Sequence, residues 1–85
     1  MCEPVVKIDD VASAAYISMN KHSIARTVEL TPNIILDLDG DCSLVGIEYL
    51  SLEEKFPMES PVLRGIDITT DCRKAILAFE DSQRA

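Results

Sequence analysis

The sequence has few of the residues on which catalysis and metal binding most often depend. Among its 85 residues are one histidine, no tryptophan and three cysteines, and no two cysteines form a C-x-x-C pair. Zinc fingers and dithiol redox motifs need such pairs, so neither is expected. The single histidine, His22, lies in a polar segment, and no spacing identifies a nucleophile for it to activate. We therefore expect no enzymatic activity and no cofactor.

Basic residues are also scarce. Eight lysines and arginines stand against fifteen aspartates and glutamates, and the formal net charge is −7. Binding to nucleic acid requires a basic face that displaces the counterions of the phosphates, and anionic lipid attracts basic segments in the same way. The charge balance argues against nucleic acid and membranes as partners. It favours a small basic protein, which the negative charge would attract.

Long apolar runs are absent. No segment approaches the ~18 apolar residues of a membrane span. Residues 1–4 contain an acid and a proline, where a signal peptide has a basic start and an apolar run. These features predict a cytoplasmic protein. In that reducing compartment Cys2, Cys42 and Cys72 are not expected to form disulfides, and Cys72 is expected to be a small apolar core residue.

Apolar residues, by contrast, are abundant for so short a chain. Hydrophobic residues make up 47% of the sequence, and its length corresponds to one small domain over residues 1–85. A domain of this size buries only about 60–65% of the surface that its extended chain exposes. A second copy would cover part of the remaining apolar surface, so we predict a homodimer.

Alternation of apolar and other residues predicts strands along the first half of the chain. Connections of about two to five residues favour an antiparallel meander. Asp39-Gly40 is typical of a hairpin turn, and Gly46 within a strand predicts a bulge or a close backbone approach. The predicted strands cover residues 5–8, 14–19, 24–30, 34–38 and 44–50.

The pattern becomes helical after residue 50. Ser51 and Glu54 have the spacing of a capping box, which predicts one or two helical turns ending at Pro57. A C-terminal helix is predicted from residue 69 or 70, because apolar residues recur at i, i+3, i+4 and i+7. That stripe consists of Cys72, Ala75, Ile76 and Phe79.

The fold class that follows is α+β. It combines a small antiparallel β-meander of four to five strands, a short helical turn and a C-terminal α-helix. The sheet is expected over residues 5–55, with a C-terminal extension containing the helix over residues 56–85.

Several short segments have an order and spacing typical of one family. These segments are Asp9, Tyr16-Ile17, Ala25-Arg26-Thr27, Asp37-Leu38-Asp39 and Gly46-Ile47-Glu48. Over residues 8–50 the chain resembles the small prokaryotic domain-of-unknown-function family 2283. The resemblance implies a small antiparallel sheet with a helical element and no established activity. Some members are thought to accompany small toxin-like proteins, which implies an antitoxin-like binding role.

The acidic turn suggests a metal site. Asp37, Asp39, Asp41 and Glu48 fall at positions 1, 3, 5 and 12 of a calcium-binding loop, whose carboxylate oxygens suit Ca²⁺. Such a loop needs glycine at position 6, where this chain has Cys42, and flanking helices where this chain has strands. These four acids are weak metal candidates, and an ordinary acidic hairpin is the favoured interpretation.

Other residues are candidates for interaction or structural roles. Arg26 lies on the apolar side of its strand, where it either binds an anion, pairs with Glu48 or Asp37, or contacts a second copy. Tyr16, on the second predicted strand, is a further candidate for an interaction or structural role. The helical stripe, with Cys72, Ile76 and Phe79, either packs on its own sheet or docks a partner.

The function that these observations favour is a non-enzymatic protein-interaction module that homodimerises, with an antitoxin-like role as one version. Its expected contacts are the exposed sheet face, an edge strand and the apolar helix. The alternative is a small-ligand or divalent-metal-binding domain centred on the Asp37–Asp41 hairpin.

Overall fold

A computed structural model describes residues 4–84 of the chain. Five strands are followed by a 3-10 turn and one α-helix, and the predicted α+β fold is confirmed. No helix within this part of the chain has the length and apolar character of a membrane span. The elements are β1 (Val5–Asp9), β2 (Ala14–Ser18), β3 (Arg26–Thr31), β4 (Ile34–Leu38), β5 (Leu44–Tyr49), the 3-10 turn (Pro61–Leu63) and α1 (Thr70–Arg84).

The sheet is antiparallel throughout, with the strand order β1-β2-β5-β4-β3. It consists of a β1–β2 hairpin and a β3–β4–β5 meander that are joined where β2 pairs with β5. The connection between β2 and β3 therefore passes the β4–β5 turn, where His22 contacts Asp39. The two edges of the sheet are β1 and β3.

One face of the sheet, which we call the inner face, packs against α1. Within β2, β4 and β5 the residues of this face are buried, as period-two alternation predicts. Ile76 and Phe79 of α1 are buried as well, and the Phe79 ring lies 5.0 Å from the Tyr49 ring between centroids. Burial of these side chains supplies most of the favourable free energy of folding. The buried sheet residues of the inner face include Ala15, Ile17, Ile34, Leu36, Leu38, Ile47 and Tyr49.

The helical turn predicted at Ser51–Glu54 is wrong. Residues 51–56 contain no helix, and the carboxylate of Glu54 instead accepts hydrogen bonds from Thr31 at the end of β3 and from Asn33 in the β3–β4 turn. A tertiary contact has thus replaced the local capping contact. The short helical turn of the fold lies at Pro61–Leu63, after Ser60, whose hydroxyl accepts from the Val62 amide at 3.2 Å.

The hairpin predicted at Asp39-Gly40 is present, but a different residue forms its left-handed corner. Cys42 has a φ of 63°, whereas a two-residue hairpin at this site would require Gly40 to adopt a positive φ. The Cys42 amide donates to the Asp39 carbonyl at 3.1 Å and the Asp39 amide donates to the Ser43 carbonyl at 3.0 Å. The loop is therefore longer than the two-residue turn that the dipeptide indicates.

Candidate functional site

The outer face of the sheet, opposite α1, carries a row of hydrogen-bonded side chains. The Tyr16 hydroxyl of β2 donates to one carboxylate oxygen of Asp37 on β4 at 2.8 Å. The Thr27 hydroxyl of β3 donates to the other oxygen at 2.9 Å. The Tyr16 ring spans β5 above Gly46, where an added Cβ would overlap its hydroxyl. The group that approaches Gly46 is thus a side chain and not the predicted backbone, while the predicted bulge lies beside Gly46, where the pairing of β4 with β5 shifts register.

Tyr16 keeps its proton in this row. Partial burial, the hydrogen bond to Asp37 and the negative charges of Asp37 and Glu48 raise the pKa of Tyr16 to about 12. The hydroxyl is consequently a hydrogen-bond donor across the physiological pH range. The row ties β2, β4 and β3 together and does not include β1.

The four acidic residues that have the spacing of a calcium-binding loop do not come together into one site. Asp37 binds Tyr16 and Thr27, while Glu48 is exposed on the outer face opposite Tyr16 in the strand pairing. Within residues 4–84, no group of three or more His, Cys, Asp or Glu side chains is arranged to hold a metal.

Asp39 belongs to the turn itself. Its carboxylate accepts from the amides of Asp41 at 2.9 Å and Ser43 at 3.0 Å, and lies 3.0 Å from the Nδ1 atom of His22. The Ser43 amide, the His22 ring and the Asp41 amide hold the pKa of Asp39 below its usual value. These contacts explain Asp39 as the residue that closes the hairpin.

Arg26 does not pair with Glu48 or Asp37, so that prediction is wrong. The strand pairing places Arg26 opposite buried Leu38, on the inner-face side of the sheet, whereas both acids lie on the outer face. Arg26 is exposed at the β3 edge, and the only side-chain contact at salt-bridge distance described for residues 4–84 joins His22 and Asp39. Alternation along the strand separates Arg26 from both acids.

The helical stripe packs on its own sheet. Ile76 and Phe79 are buried, and Cys72 is a half-buried free thiol packed against the same core. Sequence reasoning missed Glu80, whose carboxylate accepts from the Tyr49 hydroxyl at 3.0 Å and from the Phe56 amide at 2.6 Å. Burial and the Glu80 charge raise the pKa of Tyr49, so this contact holds α1 to the sheet with Tyr49 protonated.

An open apolar surface lies along β1. Every residue of β1 is exposed, and on the inner face Val6 is 43% and Ile8 45% exposed. With Ala75, Ala78 and Phe79 of α1 these two side chains line an open groove of about 500 Å³, which we call the β1/α1 groove. The apolar run at residues 5–8 predicted a strand, but only the strand order shows that this strand is an edge.

Comparison with known proteins identifies a family but no function. No curated protein and no solved structure matches the chain. A family model described as "Protein of unknown function (DUF2283)" matches residues 6–60. That range is wider than residues 8–50 and extends from β1 to the segment before the 3-10 turn, so α1 lies beyond it. Because the match covers well over half of the 85 residues, the chain belongs to the DUF2283 family.

Proposed function

We propose that this protein is a non-enzymatic protein-interaction module that homodimerises in the cytoplasm. The observation that carries the proposal is the open β1/α1 groove, where Val6 and Ile8 remain nearly half exposed. Removing apolar surface from water is worth roughly 25 cal/mol per Å². Covering this groove with another chain would therefore favour association. The described thiols Cys42 and Cys72 are free, as a reducing compartment would keep them.

The charge of β1 is compatible with a second copy as the protein that covers the groove. The chain carries a formal charge of −7, so two copies repel each other over most orientations. β1 contains one lysine and one aspartate and is formally neutral. Contact along β1 therefore adds no net strand charge to the repulsion between two copies.

The outer face supports the antitoxin-like version of the proposal, in which the module also binds a small basic protein. Asp37 and Glu48 lie on this face near the Tyr16 ring, and Glu29 lies on it at the β3 edge. Lysine or arginine side chains of a partner would find both carboxylates and an aromatic ring here. In this version the groove joins two copies while the outer face binds the basic partner.

Light scattering on the purified full chain tests the dimer. We expect a mass of twice the 9.4 kDa of one chain. Ile8→Lys should give a folded monomer, because the substitution places a charge in the groove. Ile24→Lys is the matched control, since Ile24 is a similarly exposed isoleucine outside the groove, at 53%. A monomeric wild type, or equal loss of the dimer in both variants, would refute the proposal.

A pull-down with the full chain tests the basic partner. We expect a small basic protein encoded beside this chain to co-purify with the wild type and to be lost in Glu48→Lys. Ile8→Lys should retain that protein, because the outer face is unchanged. Retention by Glu48→Lys would remove the outer face from the proposal.

A further inference from the structure

The direction of the backbone groups in β2 follows from one hydrogen bond at its end. The Met19 amide donates to the Val45 carbonyl at 2.7 Å, which continues the pairing of β2 with β5. In an antiparallel ladder, the N–H and C=O of one residue point to the same neighbouring strand, and successive residues alternate between the two neighbours. Ile17, two residues earlier, therefore bonds to β5, while Tyr16 and Ser18 bond to β1.

The same rule gives the direction of the backbone groups in β1. Lys7 lies opposite Tyr16 in the β1–β2 pairing, so the backbone groups of Lys7 are used by β2. Those of Val6 and Ile8 point the other way, to the free edge of the sheet. The side chains of Val6 and Ile8 are thus partly exposed on the face toward α1. Their backbone N–H and C=O groups point to the free edge, where no strand within residues 4–84 pairs with them.

We propose that β1 of a second copy occupies this edge in antiparallel pairing about a two-fold axis, so that two five-stranded sheets join into one. This inference rests on the proposed homodimer and specifies how its two chains meet. Residues that lie opposite each other in such a pair share a face of the sheet. With all five residues of β1 paired, Val6 lies opposite Ile8 of the other copy, and Lys7 lies on the two-fold axis.

The sequence of β1 complements itself in this register. The Val6–Ile8 pair occurs twice, and each pair carries outward backbone groups that can bond across the interface. Both pairs stand on the inner face, so each copy closes the open side of the β1/α1 groove of the other. On the outer face each Lys7 lies diagonal to Asp9 of the other copy, at about 7–8 Å, which a lysine side chain can span. Two such contacts oppose the repulsion between the two lysines.

Disulfide trapping tests the register. In a chain whose Cys2, Cys42 and Cys72 are replaced by serine, and whose dimer mass has been verified, Lys7→Cys should form a covalent dimer on mild oxidation. The reason is that the two Lys7 residues form a non-hydrogen-bonded pair on the two-fold axis. The Cα atoms of such a pair lie about 4.5 Å apart, which is within the range of a disulfide. Val5→Cys is the control, because in this register the two Val5 residues of the dimer are offset by four residues, which is roughly 14 Å along the strand. Val5→Cys combined with Asp9→Cys should link again.

Each outcome separates this inference from the proposed function. Linking through Lys7→Cys but not through Val5→Cys supports the β1 pairing. A dimer that links at neither position refutes the pairing while the homodimer stands. A wild-type monomer refutes both.

Amide hydrogen exchange gives a second measurement, which needs no introduced cysteine. In the paired dimer the amides of Val6 and Ile8 should be protected together with that of Lys7. In the monomeric Ile8→Lys variant the Val6 amide should exchange at least tenfold faster than in the wild type, while Lys7 remains protected by β2. Unprotected Val6 and Ile8 amides in the wild-type dimer would overturn the pairing.

Discussion

The two edges of the sheet differ in their bulges, in the segments that cover them and in the aliphatic side chains that they expose. β3 is interrupted by a bulge between Glu29 and Thr31, and its exposed residues include Arg26 and Glu29. Glu54, from the segment after β5, also holds the end of this strand by bonding Thr31. β1 pairs with β2 in unbroken register over all five residues and exposes three aliphatic side chains.

This difference favours β1 over β3 as the edge at which the proposed dimer forms. Natural sheets protect their edges with charges, bulges and covering segments, and β3 has all three. β1 also carries one charge of each sign, on Lys7 and Asp9, but it has no bulge, and its Val6 and Ile8 border the groove beside α1. A chain that protects one edge and leaves the other open is expected to form a closed dimer, since only one edge of each copy can pair.

The largest effect is expected from the core behind the β1 edge. Phe79 is buried against Tyr49 and also lines the β1/α1 groove. Phe79→Ala should lower the free energy of unfolding by about 3–5 kcal/mol, measured by urea denaturation. Leu30→Ala, behind the β3 edge, is the comparison and should cost about 2–3 kcal/mol.

Because Phe79→Ala removes much of the stability of so small a domain, Phe79→Leu provides a milder test. It should remain folded but dimerise more weakly than the wild type, whereas Leu30→Ala should dimerise normally. Equal dimerisation by Phe79→Leu and the wild type would show that the groove does not contribute to association.

The sequence predicted most elements of the sheet because alternation is a local signal. The strands β2, β4 and β5 lie within one residue of the predicted ranges, and Ile76 and Phe79 face the core as the helical spacing indicates. The pairing of β2 with β5 was not predictable in this way, because strand order depends on contacts between distant segments. The edge position of β1, and with it the groove, could therefore not be inferred.

Contacts between distant segments also limited the prediction of the candidate site. The spacing of Asp37 and Asp39 suggested a shared metal site, but one carboxylate bonds across the sheet to Tyr16 and the other closes its own turn. Arg26 was placed on the correct face, yet its predicted partners lie on the opposite one. The capping box at Ser51 failed because Glu54 has a partner in the distant β3–β4 turn.

The next largest effect concerns the row on the outer face, which connects the β3 side of the sheet to β2. Tyr16→Phe should destabilise the fold by about 1 kcal/mol, because it removes one partly exposed hydrogen bond to a carboxylate. Urea denaturation followed by circular dichroism measures the change, and Thr27→Val should cause a smaller loss. Dimerisation should be unchanged in both variants, since the row does not reach β1. A weaker dimer in Tyr16→Phe would show that the two regions are coupled.

A smaller effect should follow from removing the charges that protect β3. Arg26→Val combined with Glu29→Val removes both charged side chains from this edge but leaves the bulge in place. We expect a minor population larger than a dimer in sedimentation velocity at high protein concentration. Lys7→Val is the matched control on β1 and should give no species beyond the dimer. Full conversion of the double variant into large assemblies would show that charge, and not the bulge, protects this edge.

The smallest effect is expected from acid, through the contact that holds the end of β3. Hydrogen bonds from Thr31 and Asn33 lower the pKa of Glu54, so the folded state favours the ionised carboxylate. The stabilisation is therefore complete above the ordinary pKa of this group and is lost as the pH falls through the lowered value. The urea midpoint of the wild type should exceed that of Glu54→Gln at neutral pH, and the difference should shrink below about pH 4.5. Glu53→Gln is the control, because no hydrogen bond to the Glu53 carboxylate is described. A difference that stays constant with pH would mean that Glu54 holds β3 by shape and not by charge.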